Sequence, residues 1–119
     1  EIVCLNHINQ IKSALGISGI ETNEFAWKSS NTEKGAQIDL IISRKDGVIN
    51  LCEMKYTNDA YSLDAEEHEK IMNRLSKFQK EMGTKEAIHI TLICGNGYKQ
   101  SKYSGSVQNV ILGDDLFDN

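Results

Sequence analysis

The sequence predicts an α/β fold, a three-layer α/β/α sandwich with helices on both faces of a central mixed β-sheet. Apolar residues recur at helical spacing in two separated segments, residues 1–15 and 64–82. Strand-length runs rich in Ile, Leu and Val lie between and after them. The run 38–56 carries apolar residues on both faces, which calls for cover on each side.

In the first helix Ile2, Leu5, Ile8, Ile11 and Leu15 form the apolar stripe, and Gly16 is placed as its stop. Residues 16–23 read as a connection, 24–29 as a short strand carrying Phe25 and Trp27, and 31–35 as a polar turn. A β-hairpin follows, two apolar runs flanking Lys45-Asp46-Gly47. After a polar loop, Asp64 and Glu67 form a capping arrangement for the second helix. Ile71, Leu75, Phe78 and Met82 form its buried stripe, and Gly83 closes it. Glu66, Lys70, Lys77 and Lys80 read as its solvated face. An alternating strand is expected over 87–94, with Ile88, Ile90 and Leu92 on one side. A final strand is expected over 107–112 and a helical turn over 114–117.

The 119 residues make one domain by length, enough to remove roughly two-thirds of the unfolded surface from water. No apolar run approaches the ~18 residues that cross a bilayer, and no charged-then-apolar signal opens the chain. Cys4, Cys52 and Cys94 are far apart in apolar surroundings, as buried thiols of a reducing cytoplasm would be, with neither disulfide nor metal-ligand spacing. The net charge of −4 weighs against a broad basic surface for nucleic acid, so any such contact requires clustered basic residues. The chain opens on Glu1-Ile2-Val3 without an initiator methionine and reads as a fragment of a longer one.

Three charges stand inside the hairpin strands: Asp39 in the first, Glu53 and Lys55 in the second. Carboxylates are poor strand residues and costly to bury without a partner or a metal. Their relation depends on the turn. A two-residue Asp46-Gly47 turn sets Asp39 against Met54 and sends Glu53 through the other face. A three-residue loop with Gly47 left-handed pairs Arg44 with Val48 and sets Asp39 across from Glu53, with Lys55 on the same face.

Asp39 followed by Glu53-Met54-Lys55 on the next strand resembles the signature of the PD-(D/E)xK superfamily of restriction-endonuclease-like proteins, with Ile38-Asp39 in place of Pro-Asp. The wider text GAQIDLII, INLCEMKY and NGYKQSKYSG is similar to the C-terminal nuclease-like domains of bacterial and archaeal AAA-type ATPases. The resemblance spans nearly the whole chain. It implies a restriction-endonuclease-like sandwich over residues 1–119 and an ATPase portion upstream as partner. It further implies Mg²⁺-dependent (or Mn²⁺-dependent) cleavage of DNA, with Asp39 and Glu53 as metal ligands and Lys55 as the catalytic cation. Glu1 matches the first-helix glutamate that completes the metal site in many members.

Two other readings stand beside this one. A buried ion pair, with Lys55 neutralising Glu53 and Asp39, needs no metal. A nuclease fold without catalysis, serving as a regulatory, DNA-binding or interaction module of the ATPase, keeps the acids as well. Gln37 is read on the face opposite Asp39, at the rim of the cleft. Tyr98, Lys99, Lys102 and Tyr103 interleave rings and charges, but Gly95-Asn96-Gly97 beside them reads as an ordinary solvated hairpin tip. His7, His68 and His89 form no ligand set.

Overall fold

A computed structural model describes residues 7–28 and 37–113. The elements, in order, are α1 (Ile8–Ala14), β1 (Thr22–Lys28), β2 (Gln37–Arg44), β3 (Val48–Lys55), α2 (Ala65–Met82), β4 (Ala87–Cys94) and β5 (Asn109–Leu112). The strands lie in chain order across one sheet. β1, β2 and β3 form an antiparallel meander, while β4 and β5 run parallel to β3. The sheet is therefore mixed, and β3 is the strand at which the direction changes.

Helices cover both faces, giving the α/β/α sandwich. On one face Leu40, Ile42, Cys52, Ile93 and Ile111 pack with Ile11 of α1 and with Ile17. On the other, Ile41, Ile49 and Leu51 pack with Phe78 of α2, and Ile90, Leu92 and Cys94 pack with Ile71. Trp27 meets Phe78 edge-to-face, ring centroids 5.5 Å apart. Helix α1 ends as expected at Gly16. The Ile17 and Gly16 amides bond back to Lys12 and Ser13 carbonyls, the crossed pair of a Schellman motif. In α2 the Asp64 carboxylate accepts from the Glu67 amide at 2.9 Å, and Gly83 is the C-cap.

The hairpin has the three-residue loop. Ser43 pairs with Ile49, Ile42 with Asn50, Ile41 with Leu51 and Leu40 with Cys52. Gly47 sits at φ +89°, a conformation that favours glycine, and its amide reaches the Arg44 carbonyl. On its other edge β2 is irregular. Phe25 pairs with Ile41 and Trp27 with Ile38, so two steps along β1 match three along β2. The extra residue of this β-bulge falls at Asp39–Leu40. Ile38 consequently packs in the same apolar cluster as Ile41 instead of alternating away from it.

Several sequence expectations shift. Met82 stands at the end of the helix stripe, the last residue of α2, but is 51% exposed. The last strand starts at Asn109 instead of 107. The segment after β4 is not a hairpin tip, since β5 returns parallel to β4. Tyr98 and Tyr103 in that segment are half-buried and pack against the cluster of Ile71, Ile90 and Leu92. The polar turn at 31–35, the helical turn at 114–117, Cys4 and Glu1 lie outside the described residues.

Candidate functional site

The β2–β3 ladder ends at Leu40–Cys52, and Asp39 and Glu53 lie next to that pair at the open end of the hairpin. Glu53 and Lys55, two apart on β3, share the face covered by α2. In the parallel ladder they lie beside Leu92 and Cys94, so both sit at the carboxyl end of β3, next to the carboxyl end of β4. Open α/β sheets commonly bind ligands at that end.

Helix α2 closes over this corner with charges of its own. Arg74 Nη1 donates to Glu53 Oε1 at 3.1 Å. Lys55 Nζ donates to Glu67 Oε1 at 2.7 Å. Lys70 approaches the other Glu67 oxygen at 3.3 Å, and Gln37 Nε2 donates to Asp39 Oδ1 at 3.0 Å. That last bond corrects the expected placement of Gln37, because residues two apart on a strand project to one side. The ammonium of Lys55 also lies 5.6 Å from the centre of the Tyr61 ring.

The electrostatics single out Glu53. Its side chain is 11% exposed, and burial raises its carboxyl above the ordinary range. Arg74 and Lys55 pull it down, while Asp39 and Glu67 push it up. Glu67 is held below the ordinary range, chiefly by the hydrogen bond from Lys55. The Tyr61 hydroxyl is pushed up by burial first and then by Glu67 and neighbouring acids. That hydroxyl is buried and has no hydrogen-bond partner among the described residues. Burial lifts the Cys94 thiol to about 11, so it is not a thiolate nucleophile at neutral pH.

Of the residues singled out from sequence, Asp39, Glu53 and Lys55 therefore gather at one end of the hairpin, with Asp39 close enough to bear on Glu53. Tyr98, Tyr103 and His68 form a separate packed set. Tyr98 Oη lies 2.6 Å from Ser104 Oγ, and His68 stacks on Tyr103 and lies 2.9 Å from Ser106 Oγ. Arg74, Glu67 and Tyr61 were missed. The signal was present for two of them: Glu67 and Arg74 fall on the helix side that carries Ile71 and Phe78, where a charge has to be accounted for.

Among the described residues no group of three or more His, Cys, Asp or Glu side chains is arranged to hold a metal. Two carboxylates on adjacent strands are nonetheless the donor type that suits Mg²⁺, which takes one or two protein carboxylates and fills its octahedron with water and substrate oxygens. Carboxylates are the donor type a hard divalent cation takes, and Asp39 and Glu53 are the candidate ligands here.

No family model matches this chain, and no curated protein matches it. Among solved structures it resembles the crystal structure of AF1548, a protein of unknown function. The TM-score is 0.59 at 18% sequence identity, covering 94% of this chain and 57% of that one. At that identity the likeness concerns the fold alone.

Proposed function

We propose that the chain is a divalent-cation-dependent nuclease domain that hydrolyses DNA phosphodiester bonds, joined in the whole protein to an AAA-type ATPase portion. The observation that supports this reading is the charge cluster at the open end of the hairpin, where Glu53 and Lys55 are two apart on β3 and Asp39 is close enough to bear on Glu53. In PD-(D/E)xK proteins, which the Asp39…Glu53-Met54-Lys55 text resembles, those residue types hold the metal and the attacking water. Asp39 and Glu53 would hold Mg²⁺ or Mn²⁺, and Glu1, outside the described residues, is the further candidate. When bound, such an ion polarises the phosphoryl oxygen and acidifies a water. Lys55 would stabilise the negative charge that develops beside that water. Burial around Glu53 favours this chemistry, since charge interactions are stronger away from solvent. Buried cysteines outside any disulfide, Cys52 and Cys94, suit a cytoplasmic location.

A second reading is favoured by a specific observation. Glu53 and Lys55 already have counter-charges in Arg74 and Glu67, and the chain carries a net charge of −4. A non-catalytic module that docks on the ATPase or holds DNA would look the same.

Nicking of supercoiled plasmid in Mg²⁺ or Mn²⁺ separates the two. The nuclease reading expects cleavage by the wild type and a loss of about 10²-fold or more in Lys55→Ala and Asp39→Ala. Absence of cleavage with either cation, or undiminished cleavage by Lys55→Ala, leaves the non-catalytic module.

A further inference from the structure

Arg74 occupies an unusual place for a residue beside a cation site. Its guanidinium hydrogen-bonds Glu53 Oε1 at 3.1 Å, and Glu53 is one of the two carboxylates proposed above as the cation's ligands. The pair is not a loose surface contact, since both side chains are largely covered, 24% and 11% exposed. Around the same corner Lys55 is bonded to Glu67, and Lys70 to Glu67 in turn. The acids are thus neutralised by the protein's own cations. A divalent ion entering beside Glu53 meets a fixed positive charge at hydrogen-bond distance from its ligand, and like charges at that range repel strongly under partial burial. A guanidinium is also the side chain best matched to a phosphate, presenting paired donors in a plane.

We propose that Arg74 is the phosphate-binding residue of this site. It holds Glu53 in the cation's stead until nucleic acid arrives, then exchanges the carboxylate for a backbone phosphate, so that divalent cation and DNA load together. The proposal rests on the nuclease reading. It adds to that reading an order of assembly and a named residue on α2. By linkage, the factor by which DNA tightens cation binding equals the factor by which the cation tightens DNA binding.

The experiment measures Mn²⁺ affinity by the electron paramagnetic resonance signal of the free ion. A DNA duplex blocked against cleavage by phosphorothioate linkages is either present or absent. For the wild type the duplex is expected to tighten Mn²⁺ binding about tenfold or more. Arg74→Met is expected to bind Mn²⁺ about tenfold tighter than wild type without DNA, because the competing charge is gone. In that variant the duplex should add little. Arg74→Gln is a second neutral variant in case methionine disturbs the packing of α2, and Arg74→Lys, which keeps the charge, should bind Mn²⁺ alone as weakly as wild type. Mn²⁺ binding in both neutral variants that equals or falls below wild type overturns the role of Arg74 and leaves the metal site standing. Undetectable Mn²⁺ binding by every variant, with and without duplex, overturns the metal site and this proposal together.

Discussion

The two ends of the β2–β3 hairpin solve the same problem, polar groups beside a buried sheet, in opposite ways. At the turn end Arg44 bonds Asp46 through two nitrogens at 3.0 and 2.6 Å and donates to Asn50 Oδ1 at 3.1 Å. Asn50 is fully buried and donates to Thr91 Oγ1 at 3.0 Å across on β4. One charged group serves this network, its counter-ion is in the adjacent turn, and the buried members are neutral and satisfied. At the open end Asp39, Glu53, Lys55, Glu67 and Arg74 crowd together, burial works against Glu53, and the Tyr61 hydroxyl is left over. The first arrangement holds strands in register. The second leaves Glu53 disfavoured by burial despite its ion pair with Arg74.

The largest effect on stability is expected at the turn end. Asn50→Ala strands Thr91 and removes an acceptor from Arg44, at a cost of about 2–3 kcal/mol, or a melting temperature roughly 10 °C lower by calorimetry. On the proposed nuclease reading, cleavage assayed well below that temperature should be unaffected. The contrast between the ends fails if Asn50→Ala is harmless.

At the open end Glu53→Gln should do the reverse, raising stability at pH 7 by about 1 kcal/mol and, on the proposed nuclease reading, abolishing cleavage. The sign follows from the raised carboxyl. As pH climbs from near the ordinary value of 4.5, the unfolded chain ionises before the folded one, so the wild type loses stability up to the folded pKa. Glutamine does not titrate. The advantage of the variant should therefore vanish at pH 4 in denaturant titrations and be fully open above the folded value.

Glu67 titrates the other way. Its lowered carboxyl contributes stability above the ordinary range that is lost as pH falls through the folded value. Glu67→Gln should cost about 0.5 kcal/mol at pH 7, modest because the pair is partly solvated, and nothing in strong acid. The smallest effect is expected at Tyr61. Removing its hydroxyl, which has no partner among the described residues, in Tyr61→Phe should leave stability unchanged or raise it by about 0.5 kcal/mol. A loss of 2 kcal/mol would mean that the hydroxyl has a partner after all.

Much of the scaffold is legible in the residues, because each signal has a local cause. Gly47 permits the left-handed loop residue, Asp64 caps α2, and Ile88, Ile90 and Leu92 alternate onto one face. The hairpin register from Ser43–Ile49 to Leu40–Cys52 was legible as one of two, and turn chemistry was the means of choosing. What alternation could not foresee was the bulge in β2, since strict period-two reasoning assumes no extra residue. The segment after β4 was misread because Gly95-Asn96-Gly97 is turn chemistry whether the next strand returns antiparallel or crosses over. In α2 attention to the apolar stripe hid Glu67 and Arg74 on the same side of the helix.

One feature of the sheet sets when each part of the hairpin matures. The β2–β3 ladder closes over a short loop, but Lys55 must wait for Glu67, twelve positions on, and Glu53 for Arg74, twenty-one positions on. Loop-closure entropy favours the nearer contacts first. During synthesis the two strands can zip together while their far tip is still bathed in water. The ionic corner is completed only when the long helix docks, so a chain arrested before that step would own a backbone in order and charges still without their partners on α2.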